Sequence, residues 1–411
     1  MNADIVSPRR MKIAEQLEDY QGILVFANSE PTGFYRFIQN NNFLYLTGLE
    51  IPYAILVITK FSGLVQESLF IQRNIPERIV WEGEKMSKET AIQKSGITNV
   101  QYIDEFSSYI SSYGPALKKL YMNLQSSQFN APLGTAQINA KQLIEHYPQI
   151  QVGDMTDLIR PLRCVKNEWE VQQIQRAIDV TAKGISAVYE NSHAGMMEYE
   201  LEAMIYHKML INGYRNWGFT PIIAAGINAT TLHYIDNDTQ IADNQLVLMD
   251  VGAACNNYSA DITRTFPIAA KFTARQKAVY QEVLNIEKEI ISMVKPGIGL
   301  PELNERTNQL IGEALVRLNL IEDPRDFRRY YMHSISHHLG MDTHDLGLRN
   351  STLEVGNIIT VEPGIYIHEE NIGVRIEDDV LVTVDGYCVL SQHIPKEVEE
   401  LEEIRAAALG V

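Results

Sequence analysis

The first part of the chain alternates short apolar runs with amphipathic segments. The runs are strand-sized and rich in β-branched and aromatic residues, and they lie at 23–26, 43–46, 53–59 and 68–71. The amphipathic segments at 87–94 and 135–146 predict helices. Alternating strands and helices are typical of an α/β domain. Periodicity is lost across 153–166, which contains Pro161, so we place a domain boundary there and predict domains at 1–158 and 159–411.

The second domain shows one order of elements twice. Helical patterns at 167–190 and 197–212 precede an apolar run that ends in Asp250. Patterns at 273–294, with Thr273 as the expected N-cap, and at 301–320 precede a similar run that ends in Glu362. Packing does not require an acid at the end of either run, which favours an α+β domain built by internal duplication. The alternative is that any α+β domain repeats helices followed by strands.

Length and composition exclude several classes of protein. The 411 residues exceed what one hydrophobic core usually organises, which favours two domains. With 45% hydrophobic and 21% charged residues, neither a disordered nor a fibrous chain is expected. The 35 Lys and Arg against 52 Asp and Glu give a net charge of −17, which repels phosphate backbones and anionic lipids. We therefore expect neither a nucleic-acid nor a membrane partner.

The cysteines and the apolar runs bear on the cellular compartment. Cys164, Cys255 and Cys388 are far apart and form no C-x-x-C pair, so neither a disulfide framework nor a thiolate zinc site is expected. The first ten residues lack the apolar stretch of a secretion signal, and the longest apolar runs are too short to cross a membrane. These features predict a cytoplasmic protein.

Each acidic run is followed by the pattern of a β-hairpin. The chain returns after Asp250 through a strand pattern that contains Asp261, and after Glu362 through one that contains Glu377. The turn signals place Asp250 opposite Asp261 and Glu362 opposite Glu377. Like charges on opposite strands are destabilising, and buried unpaired carboxylates are more so. A positive group is therefore expected between them, either an arginine, such as Arg264 or Arg375, or divalent cations.

Histidines near the hairpins favour the cations. They are His233, His333, His337, His338, His344 and His368. His333 and His337 have the spacing of a zincin helix, but that motif requires glutamate where this chain has Ser334. Four carboxylates and a histidine form a hard, oxygen-rich set that suits Mn²⁺ or a related ion, and two such ions can share the set and activate a water molecule.

Six motifs together resemble the metallopeptidases of the aminopeptidase P and prolidase group. They are 228–234 (NATTLHY), 249–252 (MDVG), 260–265 (ADITRT), 333–345 (HSISHHLGMDTHD), 361–366 (VEPGIY) and 374–378 (VRIED). Their order and spacing cover essentially all of residues 160–400. The segment 39–48 (QNNNFLYLTG) also resembles the amino-terminal domain of that group.

The resemblance implies an α/β domain of the aminopeptidase P amino-terminal type, followed by a pita-bread (creatinase/aminopeptidase) catalytic domain with a dinuclear metal site. The implied metal ligands are Asp250, Asp261, His337, Glu362 and Glu377. The implied groups around the substrate are His233, His333 and His344, with Tyr366 shaping a proline pocket. Arg375 would orient a ligand carboxylate, and Glu362 would also act as the general base.

The expected activity is that of a Xaa-Pro aminopeptidase, which releases the N-terminal residue from peptides with proline in second position. Two divalent ions are expected as cofactors, with Mn²⁺ preferred and Co, Zn or Fe as the other options. The expected assembly is a homodimer or homotetramer. Two alternatives remain on the same fold. One is a prolidase that cleaves Xaa-Pro dipeptides, and the other is a non-catalytic pita-bread module that binds peptides or proteins.

Overall fold

The structure, a computed structural model, describes residues 1–31, 35–124 and 130–411. They divide into two units, Met1–Leu162 and Arg163–Val411. Helix α7 (Thr156–Cys164) includes the position of the domain boundary expected from the sequence, and the domain limits stay a prediction. Among the described residues, none of the helices combines the length and the hydropathy needed to span a bilayer.

Unit 1 combines helices with strands. Its helices before α7 are α1 (Ala3–Glu15), α2 (Asn41–Thr47), α3 (Pro76–Glu82), α4 (Lys88–Ser95), α5 (Phe106–Tyr113) and α6 (Thr135–His146). Its strands are β1 (Gln21–Phe26), β2 (Ile55–Phe61), β3 (Leu64–Ile71), β4 (Val100–Tyr102), β5 (Lys119–Met122) and β6 (Gln151–Asp154).

The six strands form one mixed sheet in the order β4-β3-β2-β1-β5-β6. Its antiparallel centre runs from β1 through β2 to β3, and parallel pairs complete both edges. Leu24, Phe70 and Met122 from the sheet pack against Tyr109 of α5 and Leu143 of α6. This packing of helices on a sheet confirms the α/β class of the amino-terminal unit.

Two local predictions in this region are wrong. The apolar run 43–46 is helix α2, because the Asn40 side chain caps the amide of Phe43 at 3.0 Å and Gly48 ends the helix with φ 69°. A short, wholly buried apolar run carries no period that separates strand from helix. The segment 153–166 is not irregular either, since it contains the last two residues of β6 and the whole of α7, with Pro161 inside the helix.

Unit 2 contains five further helices and eleven strands among its described elements. The helices are α8 (Glu168–Asn191), α9 (Glu198–Ile211), α10 (Ala274–Met293), α11 (Leu300–Arg317) and α12 (Val398–Leu409). The strands are β7 (Asn216–Trp217), β8 (Ile222–Ala225), β9 (Leu246–Val251), β10 (Ala253–Cys255), β11 (Tyr258–Ser259), β12 (Ile262–Pro267), β13 (Ile358–Val361), β14 (Gly364–Ile367), β15 (Ile372–Arg375), β16 (Asp378–Thr383) and β17 (Gly386–Val389).

The predicted order of two helices followed by strands occurs in both halves of unit 2. Helices α8 and α9 precede the sheet β12-β9-β8, whereas α10 and α11 precede the sheet β13-β16-β17. Smaller sheets, β11-β10-β7 and β14-β15, complete the set. The predicted N-cap Thr273 accepts a hydrogen bond from the amide of Gln276. Asp250 lies near the end of the central strand β9, and Glu362 directly follows β13.

Candidate metal centre

The second acidic hairpin has the register that the sequence predicts. Val361 pairs with Asp378 in one ladder, and Gly364 pairs with Arg375 in the next. The same register continues through both ladders, so Glu362 and Glu377 lie opposite each other between them. Asn371 makes the tight turn at the tip of the hairpin with φ 54°.

The first acidic hairpin is two residues out of the predicted register. Asp250 pairs with Thr263, not with Asp261. The physical reason is the turn, since Asn256 and Asn257 both adopt positive φ (51° and 64°) between the paired residues Cys255 and Tyr258. Two residues with positive φ form the turn that best joins twisted strands, and this moves the turn centre one residue along the chain. Asp261 therefore lies just before β12, diagonal to Asp250.

Three of the predicted ligands converge closely. Asp261, His337 and Glu377 each offer one donor atom, and these atoms lie within 4.8 Å of one another. His337 Nε2 lies 3.3 Å from Asp261 Oδ2 and 3.6 Å from Glu362 Oε1. Burial opposes protonation of His337, but Asp261 and Glu362 outweigh it and raise its pKa to about 9. The imidazole thus carries the positive charge that the acids require when no cation is bound.

Arg375 supplies the second positive charge. It is 4% exposed, and its Nη2 donates to Asp250 Oδ2 at 2.7 Å. The other carboxylate oxygen, Asp250 Oδ1, is buried and has no hydrogen-bond partner among the described residues. Burial, opposed by Arg375 and reinforced by Asp261, raises the pKa of Asp250 to about 6. The open lone pairs of Oδ1 are therefore free to bind a cation.

The remaining two carboxyl groups, those of Glu362 and Glu377, also have raised pKa values. Burial raises the pKa of Glu362 to about 7, and burial with the charges of Asp261 and Glu362 raises that of Glu377 well above its usual range. The side chains of Glu362 and His337 keep 18% and 20% of their surface exposed, so solvent reaches the centre from one side. These carboxylates and the imidazole fit divalent cations in donor type, charge and convergence.

A hydrogen-bonded chain leads from Arg375 to a second histidine. Arg375 Nη1 donates to Tyr366 Oη at 3.1 Å, and that hydroxyl lies 2.8 Å from His333 Nε2. Because the guanidinium only donates, the tyrosine proton is available to His333 Nε2. His333 then carries its own proton on Nδ1, which lies 2.9 Å from the carbonyl oxygen of Ser334. Burial and Arg375 lower the pKa of His333 to about 4, in agreement with a neutral ring.

The other two predicted histidines border the same centre. The ring centroids of His337 and His344 lie 4.3 Å apart in an edge-to-face contact. His233 and His344 are exposed to solvent. Burial and the neighbouring charge of His337 lower the pKa of His344, and the charge of His233 acts in the same direction on both His344 and His333. His233 and His344 therefore lie close enough to His333 and His337 for their charges to interact.

Comparisons with known proteins agree with this geometry. Residues 172–384 match the model of metallopeptidase family M24, and residues 7–121 match the aminopeptidase P N-terminal domain. The chain is 30% identical to a Xaa-Pro aminopeptidase of Haemophilus influenzae, over 96% of each protein. The chain belongs to metallopeptidase family M24.

Solved structures place this M24 peptidase in the aminopeptidase P group. A Bacillus anthracis protein solved as a candidate aminopeptidase P is 39% identical, with a TM-score of 0.96 over 99% of both chains. Escherichia coli aminopeptidase P with the inhibitor Pro-Leu is 29% identical, with a TM-score of 0.91 over 100% of both chains. The predicted pita-bread catalytic domain and aminopeptidase P amino-terminal domain are thereby confirmed.

Several residues that support the M24 centre were not predicted as site residues. Thr263 contacts both Arg375 and Glu377 through its hydroxyl, and Asp379 Oδ2 accepts the amide of Asp261 at 3.1 Å. Of the two candidate arginines, only Arg375 contacts a predicted ligand side chain, because Arg264 donates to Asp378 Oδ1 at 2.6 Å. The partners in these contacts are far apart in the sequence, so the contacts could be recognised only once the fold was known.

Two neighbouring histidines have different environments. His338 is 3% exposed, and its Nε2 lies 2.9 Å from Ser351 Oγ. Its main chain bridges to Ile359, which fixes the segment against β13. The adjacent His337 consequently projects to the other side, toward Asp261 and Glu362.

Proposed function

We propose that this chain is a metal-dependent aminopeptidase that releases the N-terminal residue from peptides with proline in second position. The observation that carries the proposal is the convergence of Asp261, His337 and Glu377 beside Asp250 and Glu362. The relatives named Xaa-Pro aminopeptidase, and the Escherichia coli structure with Pro-Leu, support the substrate class.

The metal ligands in this proposal are Asp250, Asp261, His337, Glu362 and Glu377. Two divalent cations held by these groups would lower the pKa of a water molecule and polarise the scissile carbonyl. Arg375 keeps Asp250 Oδ2 occupied, so Oδ1 is the oxygen left for a cation. The role of Arg375 is therefore to orient a ligand.

Glu362 is the proposed general base. Its carboxyl group lies between His337 and His333, with Oε1 3.6 Å from His337 Nε2 and Oε2 3.9 Å from His333 Nδ1. A pKa of about 7 favours both accepting a proton from the attacking water and returning it near neutral pH. The acceptor of the returned proton is the proline nitrogen, which leaves as a secondary amine.

The histidines and Tyr366 bind the substrate in this proposal. His233 and His344 are exposed and donate hydrogen bonds to the scissile carbonyl as negative charge develops on its oxygen. Proline after the scissile bond has no N–H, so its ring must be recognised by shape and apolar contact. The His333 ring, 17% exposed, offers that surface, and the buried ring of Tyr366 packs against it with 5.6 Å between centroids.

The decisive test is hydrolysis of a Xaa-Pro-Xaa tripeptide by chelator-treated protein with and without added Mn²⁺. We expect release of the N-terminal residue and a rate at least about 100-fold higher with Mn²⁺, since metal catalysis supplies several kcal/mol. A tripeptide with alanine in second position is the control. Cleavage of a Xaa-Pro dipeptide alone would identify a prolidase, and metal binding without cleavage of either would identify a non-catalytic binding module.

The pH dependence of metal binding is a second expected result. His337, with its pKa raised to about 9, must lose a proton before it can bind a metal. Apparent Mn²⁺ affinity should therefore fall about tenfold per pH unit below that value, and more steeply where Glu362 and Asp250 also become protonated. Calorimetry in two buffers of different ionisation enthalpy measures the released protons.

A surface histidine provides the control for that titration. His393→Gln changes a ring that is 46% exposed and should keep the pH dependence of the parent protein. His337→Asn should weaken binding and flatten its pH dependence between about pH 7 and about pH 9. Equal Mn²⁺ affinity of the parent protein across this range would contradict the raised pKa of His337, and parent-like affinity in His337→Asn would contradict its assignment as a ligand.

Three further features complete the proposal. Manganese is preferred because the ligand set is hard and rich in oxygen. A cytoplasmic location is supported by the spacing of the three cysteines, which suggests no disulfide framework. A homodimer or homotetramer is the assembly implied by the family resemblance.

A further inference from the structure

Thr263 lies at the point where the two acidic hairpins meet. It is the second residue of β12, directly opposite Asp250 in the ladder, and it is fully buried. Its carbonyl oxygen accepts the amide of Glu377 at 3.0 Å. Glu377 is 114 positions away in the sequence, so this contact joins the two halves of the unit.

The hydroxyl of Thr263 has two partners that fix its direction. Arg375 Nε donates to Thr263 Oγ1 at 3.0 Å, and Thr263 Oγ1 donates to Glu377 Oε2 at 2.7 Å. A guanidinium has no acceptor, so the single hydroxyl proton must go to the carboxylate. The order of donation is therefore Arg375 to Thr263 to Glu377, and it requires Glu377 Oε2 to be an acceptor.

We propose that Thr263 is a positioning residue for the metal centre. Its hydroxyl connects the guanidinium that orients Asp250 with the carboxylate of Glu377, so ligands from both hairpins are held in one arrangement. By donating to Glu377 Oε2 at 2.7 Å, it also fixes the orientation of that carboxylate. The inference deepens the proposed function and rests on its assignment of Asp250 and Glu377 as ligands.

Thr265 offers a matched control on the same strand. It is also fully buried and lies two positions along β12, on the same face. Its hydroxyl donates to the carbonyl oxygen of Arg375 at 2.9 Å and accepts the amide of Arg375 at 3.3 Å. Thr265 thus bonds the main chain of Arg375, whereas Thr263 bonds its side chain and a ligand.

The experiment compares Thr263→Val with Thr265→Val, since both replace a hydroxyl by a methyl group of similar size. Mn²⁺ affinity, measured by calorimetry on folded, metal-depleted protein, should fall about 10- to 100-fold in Thr263→Val. It should stay within about threefold in Thr265→Val, even where both variants lose thermal stability. Thr263→Ser restores the hydroxyl and should bind Mn²⁺ within about threefold of the parent protein.

Two results would overturn the inference: parent-like affinity in Thr263→Val, or equal losses in Thr263→Val and Thr265→Val. If Thr263→Val does not fold, Thr263→Ala takes its place. Mn²⁺ affinity as low in Thr263→Ser as in Thr263→Ala would then overturn the inference. Calorimetry needs no turnover. A parent protein that binds Mn²⁺ but cleaves no Xaa-Pro peptide would refute the proposed function alone, and the comparison of affinities would still decide the role of Thr263.

Discussion

Glutamine in place of Glu362 should lower kcat for a Xaa-Pro-Xaa tripeptide by about 100- to 10,000-fold, the range that general acid–base catalysis contributes. The amide keeps the size of the side chain but cannot take a proton from the attacking water. The side chain is 18% exposed, so the substitution leaves the core packing intact. Steady-state kinetics at saturating Mn²⁺ separates this loss of chemistry from weaker metal binding.

Glu369→Gln is the matched control for that variant. Glu369 lies at the tip of the same hairpin and contacts Arg329 on the surface, with 54% of its side chain exposed. Its kcat should equal that of the parent protein. An undiminished kcat in Glu362→Gln would remove Glu362 from the role of general base.

Methionine in place of Arg375 should lower the free energy of unfolding of the metal-free protein by about 3–5 kcal/mol, as for other buried pairs that lose one partner. Asp250, Tyr366 and Thr263 all lose a donor in this variant. The folded-state pKa of Asp250 is raised, so its ionisation destabilises the fold as pH rises through about 6. Without Arg375 the loss should therefore be larger at about pH 8 than at about pH 6.

Urea denaturation in the presence of a chelator measures this difference, with Arg317→Met as the control. Arg317 pairs with Glu282 on the surface, where 54% of its side chain is exposed. Such pairs contribute at most about 1 kcal/mol. Added Mn²⁺ should restore part of the stability of Arg375→Met, because bound cations would compensate Asp250. Equal losses in the two variants would show that Arg375 does not compensate a buried carboxylate.

Local patterns predicted most helices, because the amphipathic periodicity and the capping residues of a helix lie within a short stretch of sequence. Helix α6 has the bounds that the periodicity predicts, 135–146, and α10 begins after the predicted cap Thr273. The prediction of a strand at 43–46 was wrong because burial on all sides removes the periodicity that distinguishes strand from helix. The predicted turn centre of the first hairpin was wrong by one residue, because either dipeptide, Cys255-Asn256 or Asn256-Asn257, fits the turn region, and backbone φ decides between them.

The sequence by itself determined the kinds of donor, the order of the motifs and the register of the second hairpin, since these depend on side-chain chemistry and on residues close along the chain. Only the tertiary structure showed that the carboxylate Arg375 contacts is Asp250, that Arg264 contacts Asp378 instead, and that Thr263 joins Arg375 to Glu377. Those partners are more than a hundred positions apart in the sequence; Asp250 and Arg375, for example, are separated by 125 positions. Their contacts depend on how the two halves of the domain pack, and no pattern within either half encodes that geometry.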